Sequence, residues 1–595
     1  MAQQPEFPIE QDYQRNVEGI ESMTELPDGG LEVEMEPDDT TIEEQPDGSA
    51  IVTIEDETVG PLDDEDFYSN LAETSDIWDI GSIAMKYLDL IEKDKEAREE
   101  RDKKYEEGIR RTGMGDDAPG GATFQGASKV VHPVMAEACV DFAANAIKEL
   151  FPVDGPVRTN IQGEATDDKL EKAERKRDYM NWQLVYQIPE FKDEEEQLLT
   201  QLPLGGSQFL KLWYDEQQHR PRAEFVPIDN ILLPFASTNF YTTQRVTEVH
   251  DITQEEFDMR VESGLYRDIS FVRATQEPEQ TKAQKASDKV EGKQWQDNID
   301  GVRRVYHIYT YLELEDDTYS NGERAPYILM IDDLNHEVLG IYRNWEDGDE
   351  SMTKLDWLIE FKFIPWRGAY AIGLPHLIGG LSAALTGALR ALLDTAHINN
   401  SATMLKLKGA KISGQSDEIE VTQVVEIEGA PGVDDIRKIA MPLPFNPPSQ
   451  VLFELLGWLD NAAKGVVTTS EEKIADATSN MPVGTTQALI EQGSKVASAI
   501  HARLHDAQRR VLQVLARINR WYLEDMQRGD EVAELPIKAQ DFDKNSDILP
   551  VSDPHIFSET QRMAQNQAVL QLATQFPQLF DMRAVMTRML KQMKI

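Results

Sequence analysis

Two histidines one helical turn apart, in HARLH at residues 501–505, are the clearest invitation to metal chemistry in the sequence. Imidazoles four residues apart on a helix share a face and can hold one ion between them. Here Arg503 and Leu504 stand between them and the water-activating glutamate of the zinc hydrolases is absent, so His501 and His505 read as a structural or surface pair. GATFQGASK, residues 121–129, approaches a phosphate-binding loop, yet Ala127 follows Gly126 where that loop requires lysine, and Lys129 arrives two positions late. Cys139 is the single cysteine and lies in an apolar run, which predicts a small buried hydrophobe, excludes an intrachain disulfide and suits a reducing compartment. Glu194, Glu195 and Glu196 are adjacent, so on a helix they splay apart and read as solvated surface rather than a divalent-ion site. No GxSxG pattern occurs. The expectation is a protein that is not an enzyme, with no catalytic residue, no cofactor and no metal.

The elements that would have to position any such residue belong to several packed regions, because 595 residues exceed a single ordinary core and predict roughly three to five units. Hydrophobic residues make up 40% of the chain, which is globular usage and sets aside collagen-like and wholly disordered classes. The first residues, MAQQPEFPIEQDYQ, carry neither a basic nor an apolar stretch, so no secretory signal is expected. Net charge is −49, and residues 1–80 hold 25 Asp and Glu against Arg15 alone, about half the excess. That acidic arm repels itself and offers little apolar area to offset chain entropy, which predicts disorder, either as a solvated tail or as a docking arm for a basic partner. The acidity also argues against tight non-specific duplex binding, which draws its affinity from Lys and Arg displacing counterions.

Beyond the arm, residues 80–108 read as an exposed helix of mixed charge, residues 130–150 as a buried helix begun near Pro133, and residues 168–186 as a more polar helix. FLKLWYDE, AEFVPIDNILLP, VRRVYHIYTYLEL, YILMIDD, VLGIYRN and LIEFKFIPW carry strand signals, with Asn321-Gly322 between two of them, which predicts a meander. Residues 275–300 are polar and read as a mobile insertion.

The chain then enters GAYAIGLPHLIGGLSAALTGAL, residues 368–389, which is free of formal charge. A helix starting at Pro375 and running to about Asn399 is predicted. It is long enough to cross a bilayer, but five glycines, Pro375, His376, Ser382 and Thr386 dilute its large aliphatics. Small residues fall on two neighbouring rows, Gly379, Ala383, Gly387 and Ala391 beside Gly380, Ala384 and Ala388, and such rows let helix backbones approach closely in water as well as in lipid. Packing between subunits is the leading reading, with an ordinary core helix and a membrane-embedded channel or anchor as the alternatives. Residues 400–448 form a short strand-like module with Lys406, Lys408 and Lys411, after which Ser449 caps a second apolar helix. A polar loop at 467–486 follows, then the longest helix of the chain, residues 487–526, with Leu489, Val496, Ile500, Leu504, Val511, Leu515, Ile518 and Tyr522 along one side.

Four stretches together, VPIDNILLPFAST with VTEVHDITQEEFDMRV, FIPWRGAYAIGLPHLIGGL, SEEKIADATSNMPVGTTQALIEQGSKVASAIHARLHDAQRRVL, and ILPVSDPHIFSETQRMAQNQAVLQL, resemble the portal proteins of tailed double-stranded DNA bacteriophages, especially the short-tailed phages. The resemblance implies a predominantly helical α+β portal fold of wing, stem, clip and crown that assembles as a homo-oligomeric ring, a dodecamer in the family, at one capsid vertex of the virion after assembly in the host cytoplasm. In this chain it assigns residues 1–76 to the acidic arm, 77–366 to the wing, 367–399 to the first stem helix, 400–448 to the clip, 449–466 to the second stem helix, 467–486 to the tunnel loop, 487–530 to the long helix of wing and crown, and 531–595 to the C-terminal wing return and crown helices. The partners it implies are duplex DNA passing through the channel without tight binding, a large terminase that hydrolyses ATP, head–tail adaptor or neck proteins, and the major capsid and scaffolding proteins, with no membrane.

On this assignment Thr468, Glu471, Glu472, Lys473, Asp476 and Asn480 belong to the tunnel loop, where the acids would form a negative collar acting within about 8 Å of the wall at physiological salt. Gly379, Gly380, Ala383, Ala384, Gly387 and Ala388 would pack stem against stem, and Lys406, Lys408 and Lys411 would contact a partner protein or DNA at the clip. The rival readings are the membrane channel or anchor and a metal-dependent hydrolase hidden among the acids.

Overall fold

The computed structural model describes residues 65–74, 80–115, 127–152, 155–161, 166–268, 278–293, 301–400 apart from 315, 316, 318 and 321, 404–406, 440–442, 449–467, 483–529, 537–542 and 546–550, together with four short strands between 20 and 54. The chain divides into two compact units, residues 1–65 and 66–595.

In the first unit β1 (Ile20–Glu25) pairs antiparallel with β2 (Leu31–Met35), and β3 (Thr40–Glu44) with β4 (Ala50–Ile54). The expectation of a wholly disordered arm is corrected over these residues. LEVEM and AIVTI carry strand-forming apolar residues, and the intervening LPDGG and QPDGS supply turn formers, so local pairing competes with charge repulsion.

The single turns α1 (Glu65–Tyr68) and α2 (Leu71–Thr74) come next, followed by α3 (Ile80–Arg111). Ile80, Ala84, Tyr87 and Ile91 of α3 are buried at helical spacing. Its charged half is not simply an exposed face, because Asp94 and Arg98 are buried too: Arg98 donates to the carbonyls of Ile228 (2.9 Å), Asp229 (2.8 Å) and Ile231, and Arg245 donates to Asp94. α4 (Val134–Leu150), β5 (Val157–Ile161), α5 (Asp167–Trp182), a wider turn at Gln183–Gln187, and α6 (Phe191–Gly205) follow. Next come β6 (Ser207–Asp215), β7 (Arg220–Val226), β8 (Ile231–Leu232), β9 (Arg245–Thr253) and α7 (Gln254–Glu262). α8 (Lys282–Glu291) lies inside the stretch expected to be a mobile insertion, which corrects that expectation over its length: Thr281 and Gln284 cap it reciprocally, and it packs on α3 with Ala283 and Ala286 buried.

β10 (Val302–Glu313), β11 (Arg324–Asp332) and β12 (Val338–Arg343) form the expected antiparallel meander, extended by β9 and β8 into five strands in the order β12-β11-β10-β9-β8. β13 (Leu358–Lys362) pairs with β6, whose other neighbour is β7. α9 (Leu374–Asn400), the short strands β14 (Met404–Lys406) and β15 (Ala440–Pro442), α10 (Gln450–Val467), α11 (Val483–Gly529) and β16 (Ser546–Pro550) complete the described chain, and β16 pairs with β5. The architecture is therefore mixed α and β with more helix than strand.

The main core gathers α4, α5, α6, β6, β13 and the C-terminal half of α11, where Leu504, Val511, Leu512, Leu515 and Ile518 are buried. Of the expected stripe on the long helix, Ile500 and Tyr522 are partly buried, Tyr522 stacking on Tyr214 with centroids 4.0 Å apart, while the side chains of Leu489 and Val496 lie outside the described residues. A second core joins α1, α2 and α3 to the five-stranded sheet.

Candidate functional site

α9 enters the fold through two close backbone approaches. Gly206, at φ +80°, bonds through its carbonyl to Phe363 N, and a Cβ on it would lie 2.5 Å from Ala371 O; a Cβ on Gly373 would lie 2.3 Å from Pro203 O. Only glycine lets the strand–helix junction seat so tightly on the end of α6. From there α9 runs 27 residues, about 40 Å at 1.5 Å per residue, and α10 packs along it. Leu385 of α9, Leu459 and Ala463 of α10 and Val134 of α4 share one small core. Polar contacts run beside this core: Ser128 N donates to Asp394 (2.6 Å), Arg390 Nε to the Val130 carbonyl (2.9 Å), and Lys464 bridges Asp460 and Glu137, both at 3.5 Å.

The six small residues singled out on this helix do not behave alike. Gly379 is buried against Arg111, which donates to its carbonyl, and Ala388 is also buried. Gly380, Ala383, Ala384 and Gly387 are exposed, and a Cβ added at Gly380 or Gly387 meets nothing within 4 Å. With Leu377 and Ala391 these four make one open apolar face at spacings of three and four. α10 exposes the opposite kind of surface: Val451 is 74% exposed, Phe453 67% and Trp458 65%. Sequence reasoning places the helix and counts Val451 in its apolar stripe but does not single out Phe453 or Trp458, since an apolar stretch does not announce which of its faces stays uncovered.

The chain leaves α9 as β14 and returns as β15, paired antiparallel with Lys406 opposite Ala440, which matches the expected order of helix, β-containing tip and helix. The Lys406 side chain, Lys408 and Lys411 lie outside the described residues, as do Thr468, Glu471, Glu472, Lys473, Asp476 and Asn480.

The candidate chemical residues fall as follows. His501 and His505 are buried and both bond one carboxylate, that of Glu149 on α4, with His505 Nε2 at 2.9 Å from Oε1. This pairing holds the Glu149 carboxyl down at about 2 against the penalty of its burial. Cys139 is buried, and desolvation pushes its thiol up to about 12, far from a reactive thiolate. The solvated reading of the Glu194 to Glu196 run is corrected at its centre: Glu195 is fully buried, facing Gln508 of α11, while Glu194 accepts from Phe225 N at 2.8 Å. Residues 121–126 of the loop-like GATFQGASK lie outside the described residues.

No protein-family model and no curated protein matches the chain.

Proposed function

We propose that the chain is the subunit of a ring-shaped conduit of the bacteriophage portal kind, standing at one capsid vertex of the virion and passing duplex DNA during packaging and ejection. One observation carries the reading. The α9 and α10 pair leaves open a small-residue face on one helix and a bulky apolar face on the other, in a chain whose net charge is −49. Exposed apolar surface of this kind marks an interaction site. When a knob face and a hole face belong to the same subunit, the contact between copies is head-to-tail and closes into a ring if its rotation divides a full turn.

On this reading α9 and α10 are the stem, residues 400–448 the clip that docks a large terminase and later the head–tail adaptor proteins, and residues 77–366, with the five-stranded and three-stranded sheets, the wing, with capsid and scaffolding proteins around it. The acidic balance suits a channel through which DNA slides, because each cationic phosphate contact would add counterion-release affinity and drag. No bond is made or broken by the ring, and ATP hydrolysis belongs to the terminase.

Light-scattering mass of the purified full chain tests the proposal. A particle near twelve chains in detergent-free buffer supports it, and a stable lone chain overturns it. α9 also has the length and mean hydropathy (1.3) of a membrane-crossing helix, with a third of that span buried. Solubility that depends on detergent would favour the membrane channel or anchor in place of the ring.

A further inference from the structure

Glu248 and His250 stand two residues apart on β9 and so share a face of the five-stranded sheet, and His307 of β10 is the direct cross-strand partner of Glu248. One ligand atom from each of the three lies within 4.8 Å of the others. His250 Nε2 is 3.1 Å from Glu248 Oε1, and the two imidazole centroids are 4.2 Å apart. Glu248 is fully buried and His307 nearly so. Around them stands a second layer: the Tyr309 hydroxyl donates to Glu248 Oε2 at 3.1 Å, and the Tyr266 hydroxyl engages His307 Nε2 at 3.3 Å. Two imidazoles and a carboxylate, the carboxylate and His307 each with an outer hydrogen-bond partner, are the donor set that borderline divalent ions use, leaving one position for water.

A cation already sits beside this set. Lys211, which comes from β6 of the other sheet, places Nζ 2.9 and 3.0 Å from the two Glu248 oxygens and 3.4 Å from His250 Nε2. An ammonium and a metal ion compete for such a position. The lysine has somewhere else to go: Glu224 is its cross-strand partner on β7, and its Nζ lies 5.8 Å from the centroid of the Trp213 ring on its own strand. Moving to them keeps the ammonium paired, so exchanging it for an ion does not strand a buried charge. To close on an ion at bond lengths of about 2.0–2.2 Å, the three ligand atoms must contract to roughly 3.4 Å apart, a shift within the reach of side-chain rotation.

We propose that Glu248, His250 and His307 form a binding site for one divalent transition-metal ion of the zinc type, with Lys211 as its displaceable resident cation. Metal entry exchanges a tie between the two sheets for one within the five-stranded sheet, so occupancy alters how firmly β6 is held to β9.

The test is titration of the full-length protein with Co2+, whose visible absorbance reports imidazole coordination and is silent to weak collection of ions by surface carboxylates. One equivalent of absorbing Co2+, displaced by one equivalent of Zn2+, is expected. His250 is the partly exposed ligand and the one whose loss best spares the sheet; His250→Ala with unchanged circular dichroism is expected to weaken binding at least about tenfold. Lys211→Met is expected to tighten it about tenfold. Absence of the one-equivalent signal in the wild-type chain overturns the site, even if Lys211→Met acquires one, and so does a signal that survives in a folded His250→Ala chain. Affinity unchanged by Lys211→Met overturns the part assigned to the lysine.

Discussion

Glu195 of α6 and Gln508 of α11 face each other fully buried, with Gln508 Nε2 donating to Glu195 Oε2 at 3.3 Å, while among the described residues neither Glu195 Oε1 nor Gln508 Oε1 has a hydrogen-bond partner. One proton resolves both vacancies, because a protonated Glu195 can donate to the Gln508 carboxamide oxygen and close a reciprocal acid–amide pair. Burial pushes the Glu195 carboxyl up to about 8, so it is largely neutral at pH 7.

The folded protein therefore holds a proton that the unfolded chain releases near 4.5, and stability falls as pH rises from about 4.5 to 8. Glu195→Gln keeps the reciprocal pair without the proton. Thermal unfolding followed from pH 5 to pH 9 is expected to show the variant level with wild type at the acid end and more stable by about 1–3 kcal/mol at the alkaline end. Parallel curves across the range would mean that Glu195 does not titrate in this way.

Gly380→Leu and Gly387→Leu meet open space in the single chain, whereas Gly373→Ala drives a carbon to 2.3 Å from the Pro203 carbonyl. The two leucine variants are expected to fold with wild-type melting temperatures and to lose ring assembly by light scattering. Gly373→Ala is expected to lose more than about 2 kcal/mol of stability whatever its assembly state. Rings of normal mass from both leucine variants would remove the α9 face from the subunit contact.

Trp458, at 65% exposure, costs the lone chain little to lose. Trp458→Ala is expected to change monomer stability by no more than about 0.5 kcal/mol while weakening assembly, as removal of an aromatic anchor does. Analytical ultracentrifugation over a range of concentrations reads both species, and an unchanged association constant would contradict the role of α10.

Glu149 contributes in the opposite pH sense to Glu195. Its folded carboxyl titrates near 2 and its unfolded one near 4.5, so the stability it supplies is present above about 4.5 and is lost as pH falls toward 2. Glu149→Gln is expected to cost about 1–3 kcal/mol at pH 7 and to converge on wild type in strong acid, measured by denaturant unfolding. A deficit independent of pH would show that packing rather than charge sets the cost.

The elements that could be read from the sequence are those whose causes are local. The start of α9 follows from Pro375, the meander of β10, β11 and β12 from alternation and Asn321-Gly322, and the buried line Val511, Leu515 and Ile518 from helical spacing. Charge misled wherever a distant partner neutralised it. Arg98 falls in a helix whose charge reads as exposed, because nothing near it in sequence announces the three carbonyls of residues 228–231 that it caps. The Thr281 capping box that starts α8 was present in the sequence, but the polar residues around it suggested a loop.

By itself, then, the order of residues determined those helices and strands whose causes are local, because capping, proline geometry and apolar periodicity act over a few residues. Tertiary structure alone decided that Gly379 is covered while Gly380 is open, that one carboxylate lies against both His501 and His505, and that Glu248 meets His307 and Lys211. Desolvation and hydrogen bonding depend on which groups occupy the same few ångströms, and that is settled by the packing of elements far apart along the chain.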